Sequence, residues 1–317
     1  MEHKFDVIVV GELNVDLIFD GLGDKLPEVG KEIIAAGMTL TLGSSSAILA
    51  ANLSVLGPRV SFIGKVGKDS FADLVLSSLK QKGVDTSNII QTDEHKTGIT
   101  AACSYENDRS MVTHPGAMDH LTIDDIKPEI LKQAKHLHMS SVFFQNGLKP
   151  DIYDLFKMAK ELGLTTSFDP QWDPAEKWDV DLNKLLPYVD VFLPNIVELQ
   201  FLTGTNSREE ALEKIAAVAN TVVVKDGTNG SFLWTSGKQF HQEIFSNPDV
   251  VDTIGAGDSF NSGFISKFIQ KATIEACMEF GALTGAVNTT QPGGTTAFTN
   301  LDEVKKTASG KFNFIIE

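Results

Sequence analysis

Val251-Asp252-Thr253-Ile254-Gly255-Ala256-Gly257-Asp258-Ser259-Phe260 is the stretch around which the rest of this chain is organised. After it, Phe260, Phe264, Ile265, Phe268 and Ile269 recur at helical spacing, which predicts a helix opening near Ala256. Small residues at a helix start leave backbone N–H groups uncovered, and the positive end of the helix dipole adds to them. Together they predict an anion site suited to a transferring phosphoryl group. Asp258 falls in the first turn of that helix. A carboxylate there can take the proton of an attacking hydroxyl, which phosphoryl transfer asks of its enzyme besides positioning and charge neutralisation. The plainer alternative is an acidic residue that only complements the dipole.

Working outward, short runs rich in β-branched and aromatic residues recur at Val7-Ile8-Val9-Val10, Ser61-Phe62-Ile63, Thr166-Ser167-Phe168, Val191-Phe192-Leu193 and Thr221-Val222-Val223-Val224. Helical patterns fall between them, as at Phe71 to Leu79, Ile152 to Leu162 and Glu209 to Val218. This alternation predicts an α/β fold, a mostly parallel central sheet with helices on both faces. Residues 12–42 and 97–115 break the pattern: Asn14 to Ile18, Glu32 to Leu42, Thr97 to Cys103 and Ser110 to Thr113 read as antiparallel strands, the last two joined by a turn at Glu106-Asn107-Asp108. We expect one domain over residues 1–317 and a small β-sheet lid built from the two insertions, covering a cleft.

Composition narrows the partners. The 27 Lys+Arg against 42 Asp+Glu give a formal charge of −15, which disfavours nucleic acid and anionic membranes. Cys103 and Cys277 are far apart and suggest neither zinc nor a disulfide framework. Met1 to Asp6 carries no charged-then-apolar leader and no apolar run reaches spanning length, so a cytoplasmic address is expected. Two common nucleotide motifs are missing. Gly11 is followed by Glu12-Leu13-Asn14-Val15-Asp16 and not by a dinucleotide fingerprint. The segment Gly21 to Leu26 lacks its third glycine, and Gly67-Lys68-Asp69 has Phe62 where a P-loop needs glycine.

Residues 252–258 match in full the second signature of the ribokinase-like, or PfkB, carbohydrate kinases, which the chain resembles over nearly its whole length. The resemblance implies a ribokinase-like fold, ATP as donor, Mg²⁺, a small sugar as acceptor, and in some members a monovalent cation such as K⁺ near Asp252. It implies that Gly255, Ala256 and Gly257 form the anion hole and that Asp258 is the base. Asn195-Ile196-Val197-Glu198 resembles the motif that organises Mg²⁺ and phosphate through water; an amide and a carboxylate one helical turn apart suit a hard cation, although Asn195 as a plain N-cap is the simpler reading. Lys225-Asp226-Gly227-Thr228-Asn229-Gly230 resembles the nucleotide-side loop, and Asn288 with Gln291 to Thr295 lies where the adenine pocket closes.

On the sugar side, Gly11 to Asp16 is similar to the family's Gly-x-x-Asn-x-Asp. Asn14 and Asp16 would share one face of a strand and could fix vicinal hydroxyls, or could be two polar residues on a wet edge strand. The first signature is altered. Gly43 is kept, but Ser44 stands for the second glycine, Ile48 for the usual Asn, Met118 for an Asn after Gly116-Ala117, and Gln171 for an Asn after Asp169-Pro170. Such losses change which hydroxyl is recognised. A nucleoside kinase using Ile48 and Met118 as apolar walls, and a silent sugar-binding regulator, are the alternatives; an NAD-dependent dehydrogenase is opposed by the missing glycines. Arg109 reads as a solvated hairpin residue, which disfavours a phosphosugar. Exposed lid edges predict a homodimer formed lid to lid.

Overall fold

Four consecutive apolar residues, Val7 to Val10, are fully buried and form an interior strand of a nine-stranded sheet. The structure is a computed structural model, and it describes residues 3–23, 27–105 and 109–316. In chain order the elements are β1 (Val7–Val10), β2 (Asn14–Asp20), β3 (Gly37–Leu42), α1 (Ser45–Val55), β4 (Val60–Gly67), α2 (Ser70–Gln81), β5 (Ile89–Thr92), β6 (Gly98–Ser104), β7 (Arg109–His114) and α3 (Pro128–Leu131). They continue as β8 (His136–Ser140), α4 (Ile152–Glu161), β9 (Thr165–Asp169), α5 (Leu182–Leu185), β10 (Val191–Phe192), α6 (Ile196–Thr203) and α7 (Arg208–Ile215). The last are β11 (Thr221–Lys225), β12 (Ser231–Thr235), β13 (Lys238–Gln242), α8 (Ala256–Phe268), α9 (Ile274–Asn288) and α10 (Leu301–Phe312).

The large sheet runs β13-β12-β11-β10-β9-β8-β1-β4-β5, parallel except that β12 pairs antiparallel with both β11 and β13 at one edge. Helices α4 to α7 bury their apolar residues against one face, and α1, α2, α8 and α9 against the other. The expected α/β architecture is therefore present. Neither the antiparallel edge nor β8 stood out in the sequence: β8 reads His-Leu-His-Met-Ser, with two polar rings where a buried strand is normally apolar.

The two insertions build a separate four-stranded sheet in the order β3-β2-β6-β7. Each hairpin is antiparallel, as expected, but β2 and β6 pair in parallel, Asn14 opposite Gly98 through Phe19 opposite Cys103, which corrects the all-antiparallel reading. Both strands leave the body at the same edge and run outward, so their directions agree. Glu32 to Ala36 precedes β3 and is not strand. The turn expected at Glu106 to Asp108 lies outside the described residues, as do Asp24 to Leu26. By register, Asp16, Thr41, Thr100 and Thr113 form one row on the face turned to the body, while Leu17, Leu40, Ala101 and Val112 form a row on the opposite face.

Candidate active site

Helix α8 begins without a side-chain cap. Gly255 is its N-cap at φ 75, and a Cβ there would lie 2.6 Å from Cα of Gly294 and 3.2 Å from Cγ2 of Ile48. Only glycine takes that left-handed position at such close approach. Ala256 N–H donates back to Thr253 O at 3.2 Å, while the amides of Gly257 and Asp258 have no acceptor among the described residues. Two donors at the positive end of a 13-residue helix are thus available to an anion. The loop before them is fixed from both sides. Asp252 accepts from Ile254 N at 2.9 Å and from Gly293 N at 2.8 Å. Asn288 donates to Ile254 O at 2.6 Å and accepts from Ser259 Oγ at 3.0 Å.

Asp258 is buried, and its Oδ1 accepts from Ser45 Oγ at 2.5 Å and from Gln171 Nε2 at 3.1 Å. Its Oδ2 makes no hydrogen bond among the described residues. Burial pushes this carboxyl up to about 7; the Ser45 hydrogen bond opposes the rise and the charge on Asp169 adds to it. A carboxylate held by one oxygen, with the other free and a proton affinity near neutrality, is equipped as a general base.

Behind it lies a buried polar network. Asp169 ends β9, and its Oδ2 accepts from Lys225 Nζ at 2.6 Å, Asn261 Nδ2 at 2.5 Å and Gln171 Nε2 at 3.1 Å. Glu198 and Asn195 form a reciprocal capping box at the start of α6, with Glu198 N to Asn195 Oδ1 at 2.8 Å, Asn195 N to Glu198 Oε2 at 2.8 Å, and Asn195 Nδ2 to Glu198 Oε1 at 2.6 Å. Burial raises the Glu198 carboxyl, and the nearby Asp169 charge raises it further.

The lid supplies the other wall. Gly43 carries no side chain where a Cβ would lie 2.3 Å from Asp16 Oδ1 and 2.7 Å from Asn14 Oδ1, so both oxygens converge on the space above it. Asn14 Nδ2 donates to Thr100 Oγ1 at 2.8 Å, which in turn meets Thr113 Oγ1 at 2.9 Å; Asn14 Oδ1 is buried and has no partner. An orphaned buried acceptor needs a donor, and a sugar hydroxyl is one. Burial lifts the Asp16 carboxyl to about 6, the Arg109 guanidinium pulling it down and Glu12 pushing it up. A cleft of about 770 Å³ runs from the lid residues Asp20, Thr39, Thr41 and Arg109 to the 250–254 loop and Gly293. Arg109 is exposed, as its reading as a solvated hairpin residue expects, and it also lines the cleft.

Several residues singled out in the sequence have structural duties. Ser44, at φ 71, is the N-cap of α1 and donates to Glu12 O at 2.6 Å, so its hydroxyl is already engaged. Asn288 is fully buried with both polar atoms engaged, so it braces the loop before α8. A Cβ on Gly230 would collide with Gln242 O at 2.2 Å, whereas around Gly227, at φ 52, the space is open for backbone approach. Ile48 packs under Gly255 and Gly294, and the Met118 sulfur lies beneath Gly98 beside Asn14 Cβ; both are buried. Ser45, Asp169, Asn261 and Glu12 were missed. Buried Glu12 accepts from the Ser46 hydroxyl and burial raises its carboxyl. Asp169 carried a readable signal, since it ends a parallel strand at the carboxyl edge, where open α/β sheets place their ligands.

The sequence profile of the pfkB family carbohydrate kinases matches residues 4–300. The chain belongs to that family. As a member it is an ATP-dependent carbohydrate kinase. It is 30% identical over 237 residues to an uncharacterized sugar kinase of Archaeoglobus fulgidus, covering 74% of this chain and 92% of that one. It is 28% identical over 319 residues to the 5-dehydro-2-deoxygluconokinase of Lacticaseibacillus casei, covering 96% and 95%. The structure of Arabidopsis thaliana ribokinase complexed with ribose and ATP superposes with a TM-score of 0.81 at 25% identity, covering 96% of this chain and 98% of that one. The ribokinase-like fold of this pfkB kinase follows, with its central sheet and separate small sheet. Among the described residues no helix is long and apolar enough to cross a membrane.

Proposed function

We propose that this kinase transfers the terminal phosphoryl group of ATP to a hydroxyl of a small sugar or sugar-like acceptor held between Asn14 and Asp16 of the lid and the start of α8. The observation that carries the reading is Asp258: its Oδ1 is held by Ser45 and Gln171 while Oδ2 stays open beside two unpaired helix amides. Asp258 Oδ2 takes the hydroxyl proton, and Gly255, Ala256 and Gly257 place the amides that stabilise charge on the phosphoryl oxygens. The Lys225 to Gly230 loop, with Gly227 open to solvent, meets the nucleotide through its backbone.

The donor set fits Mg²⁺ only through water. Among the described residues no group of three or more His, Cys, Asp or Glu could hold a metal, and the oxygens of Asn195 and Glu198 are engaged with each other. The ion would arrive on the nucleotide phosphates, where it neutralises their charge, and meet Glu198 through its hydration shell. K⁺ near Asp252 is proposed as an activator, tested by exchanging KCl for choline chloride. A nucleoside kinase with Ile48 and Met118 as apolar walls is the alternative, and the acceptor panel separates the two. A regulator that binds sugar silently has no use for an open Oδ2 on Asp258. We further infer a cytoplasmic homodimer joined through the lid.

A panel of free sugars, sugar acids and nucleosides with MgATP and ADP detection tests the reading. Acceptor-dependent ADP formation with a sugar or sugar acid is expected. ADP formation with nucleosides alone, or with no acceptor at all, overturns it.

A further inference from the structure

Lys225 ends β11 at the carboxyl edge of the sheet, pinned by its own N–H to Pro194 O at 3.0 Å and bridged to Asn195. Its side chain turns inward. Nζ bonds Asp169 Oδ2 at 2.6 Å and Asn261 Oδ1 at 3.4 Å, which uses two of its three N–H groups among the described residues. The nearest atoms to a Cβ built on Gly257 are Lys225 Nζ at 3.8 Å and Lys225 Cδ at 3.9 Å. The ammonium therefore lies beside the residue whose amide opens the anion site, on the side where Gly257 has no side chain to shield it. Burial works against this charge, and Asp169 and Glu198 more than restore it, raising the lysine above its ordinary range. Asp169 spends three hydrogen bonds on one oxygen and is thereby the clamp of the lysine. The amides of the helix start offer only partial charges, whereas the phosphoryl group in flight spreads full charge over its equatorial oxygens.

We propose that Lys225 is a further catalytic residue, whose ammonium pairs with an equatorial oxygen of the phosphoryl group in transit over Gly257. The inference rests on the phosphoryl-transfer reading above. In the step, the hydroxyl oxygen bonds to phosphorus, the bond from phosphorus to the bridging oxygen breaks with its electron pair leaving on ADP, and the hydroxyl proton goes to Asp258 Oδ2. Lys225 keeps its protons throughout and supplies charge alone. The loop assignment from sequence concerned backbone; this role belongs to the side chain.

The test separates chemistry from neutralisation of Asp169. Lys225→Met, Asp169→Asn and the double variant are compared with wild type on the acceptor selected by the panel, with melting temperature and MgADP affinity measured alongside. Lys225→Met leaves Asp169 buried and unpaired and should melt lower; adding Asp169→Asn removes that charge and should restore the melting temperature. The kcat of the double variant should stay roughly 10²-fold or more below that of Asp169→Asn alone. Its MgADP affinity should lie within about threefold of wild type, while the stabilisation wild type gains from MgADP with aluminium fluoride, a planar stand-in for the phosphoryl group, should be lost. If the double variant equals Asp169→Asn in kcat, or keeps the fluoroaluminate complex, Lys225 serves only to neutralise Asp169 and the proposal falls. Should wild type form no acceptor-dependent ADP, the kinase reading itself is what failed.

Discussion

Replacing Asp258 by Asn keeps the shape of the side chain and its bonds to Ser45 and Gln171 but leaves nothing to take a proton. We expect kcat to fall by roughly 10²–10⁴-fold with nucleotide affinity little changed; a variant keeping a tenth of the rate removes Asp258 from the role. Because burial lifts this carboxyl to about 7, the wild-type rate should rise with pH through that value and level off above it. Stability runs the opposite way. A folded value raised above the ordinary 3.8 contributes stability that is complete below that value and is lost as pH climbs to about 7. Asp258→Asn should therefore melt higher than wild type at pH 8, by roughly 3 °C or more, and show little gain at pH 4. On the lid, Asp16→Ala should raise the acceptor KM at least about tenfold, since a charged hydrogen bond contributes about 1.5–3 kcal/mol. ATP affinity without acceptor should stay put, and normal phosphorylation would show that Asn14 and Asp16 do not hold the acceptor. Asp258 and Asp16 were legible because their meaning is local: one stands in the first turn of a helix, the other two residues from Asn14 on a strand. Ser45 and Glu12 were not, because they matter only through partners 34 or more residues away, as with Glu12 taking the Ser46 hydroxyl and Ser45 reaching Asp258 across a separation of 213.

Among elements, the start of α8 and the start of α6 do contrasting work with similar parts. Helix α6 is closed by its own Asn195–Glu198 box, whereas α8 is left open, its N-cap Gly255 packed so tightly against Gly294 that no side chain fits there. Gly255→Ala should make the contrast measurable. A left-handed residue other than glycine costs about 1–2 kcal/mol, and the new methyl meets Gly294 at 2.6 Å, so the loop must shift. Both kcat and melting temperature should drop, with kcat falling further than acceptor KM changes; an unaltered kcat would show that the loop does not set the anion site. For α6, Glu198→Gln keeps an oxygen to accept from Asn195 but changes the charge offered to a hydrated ion. The Mg²⁺ concentration for half-maximal rate should rise while acceptor KM stays the same. A change confined to acceptor KM would sink the assignment. Helix α6 was marked only by its Asn195–Glu198 pattern, while α8 was readable from periodicity. The parallel pairing of β2 with β6 was not, since hairpin patterns fix pairing within each insertion and say nothing of how two insertions meet.

At the scale of the molecule, the lid presents two unlike faces. Toward the body, the row Asp16, Thr41, Thr100 and Thr113 is polar, and it belongs to the cleft. On the outer face, Leu17, Phe19, Leu40, Met38, Ala101 and Val112 form two apolar rows, with Val112 75% and Met38 60% exposed. The outer strands β3 and β7 are also unpaired edges. A thin sheet that is apolar on its solvent side and open at both edges is a standing hazard for irregular association unless something specific covers it. A second copy is the occupant that fits. The formal charge of −15 repels like molecules over most of the surface, and an uncharged patch is where that repulsion is least. Burying the outer face would also stiffen the strands that carry Asn14 and Asp16, linking assembly to acceptor binding. We therefore expect light scattering to give twice the chain mass of 34.4 kDa, with Met38→Glu plus Val112→Glu shifting the protein toward monomer. Neither residue faces the cleft, so the monomer should keep its nucleotide affinity and lose affinity for the acceptor, several-fold in KM, as the lid becomes less ordered. A wild-type monomer at micromolar concentration, or a monomeric variant with an unchanged acceptor KM, would show that the lid works alone and that its apolar outer face has some other use.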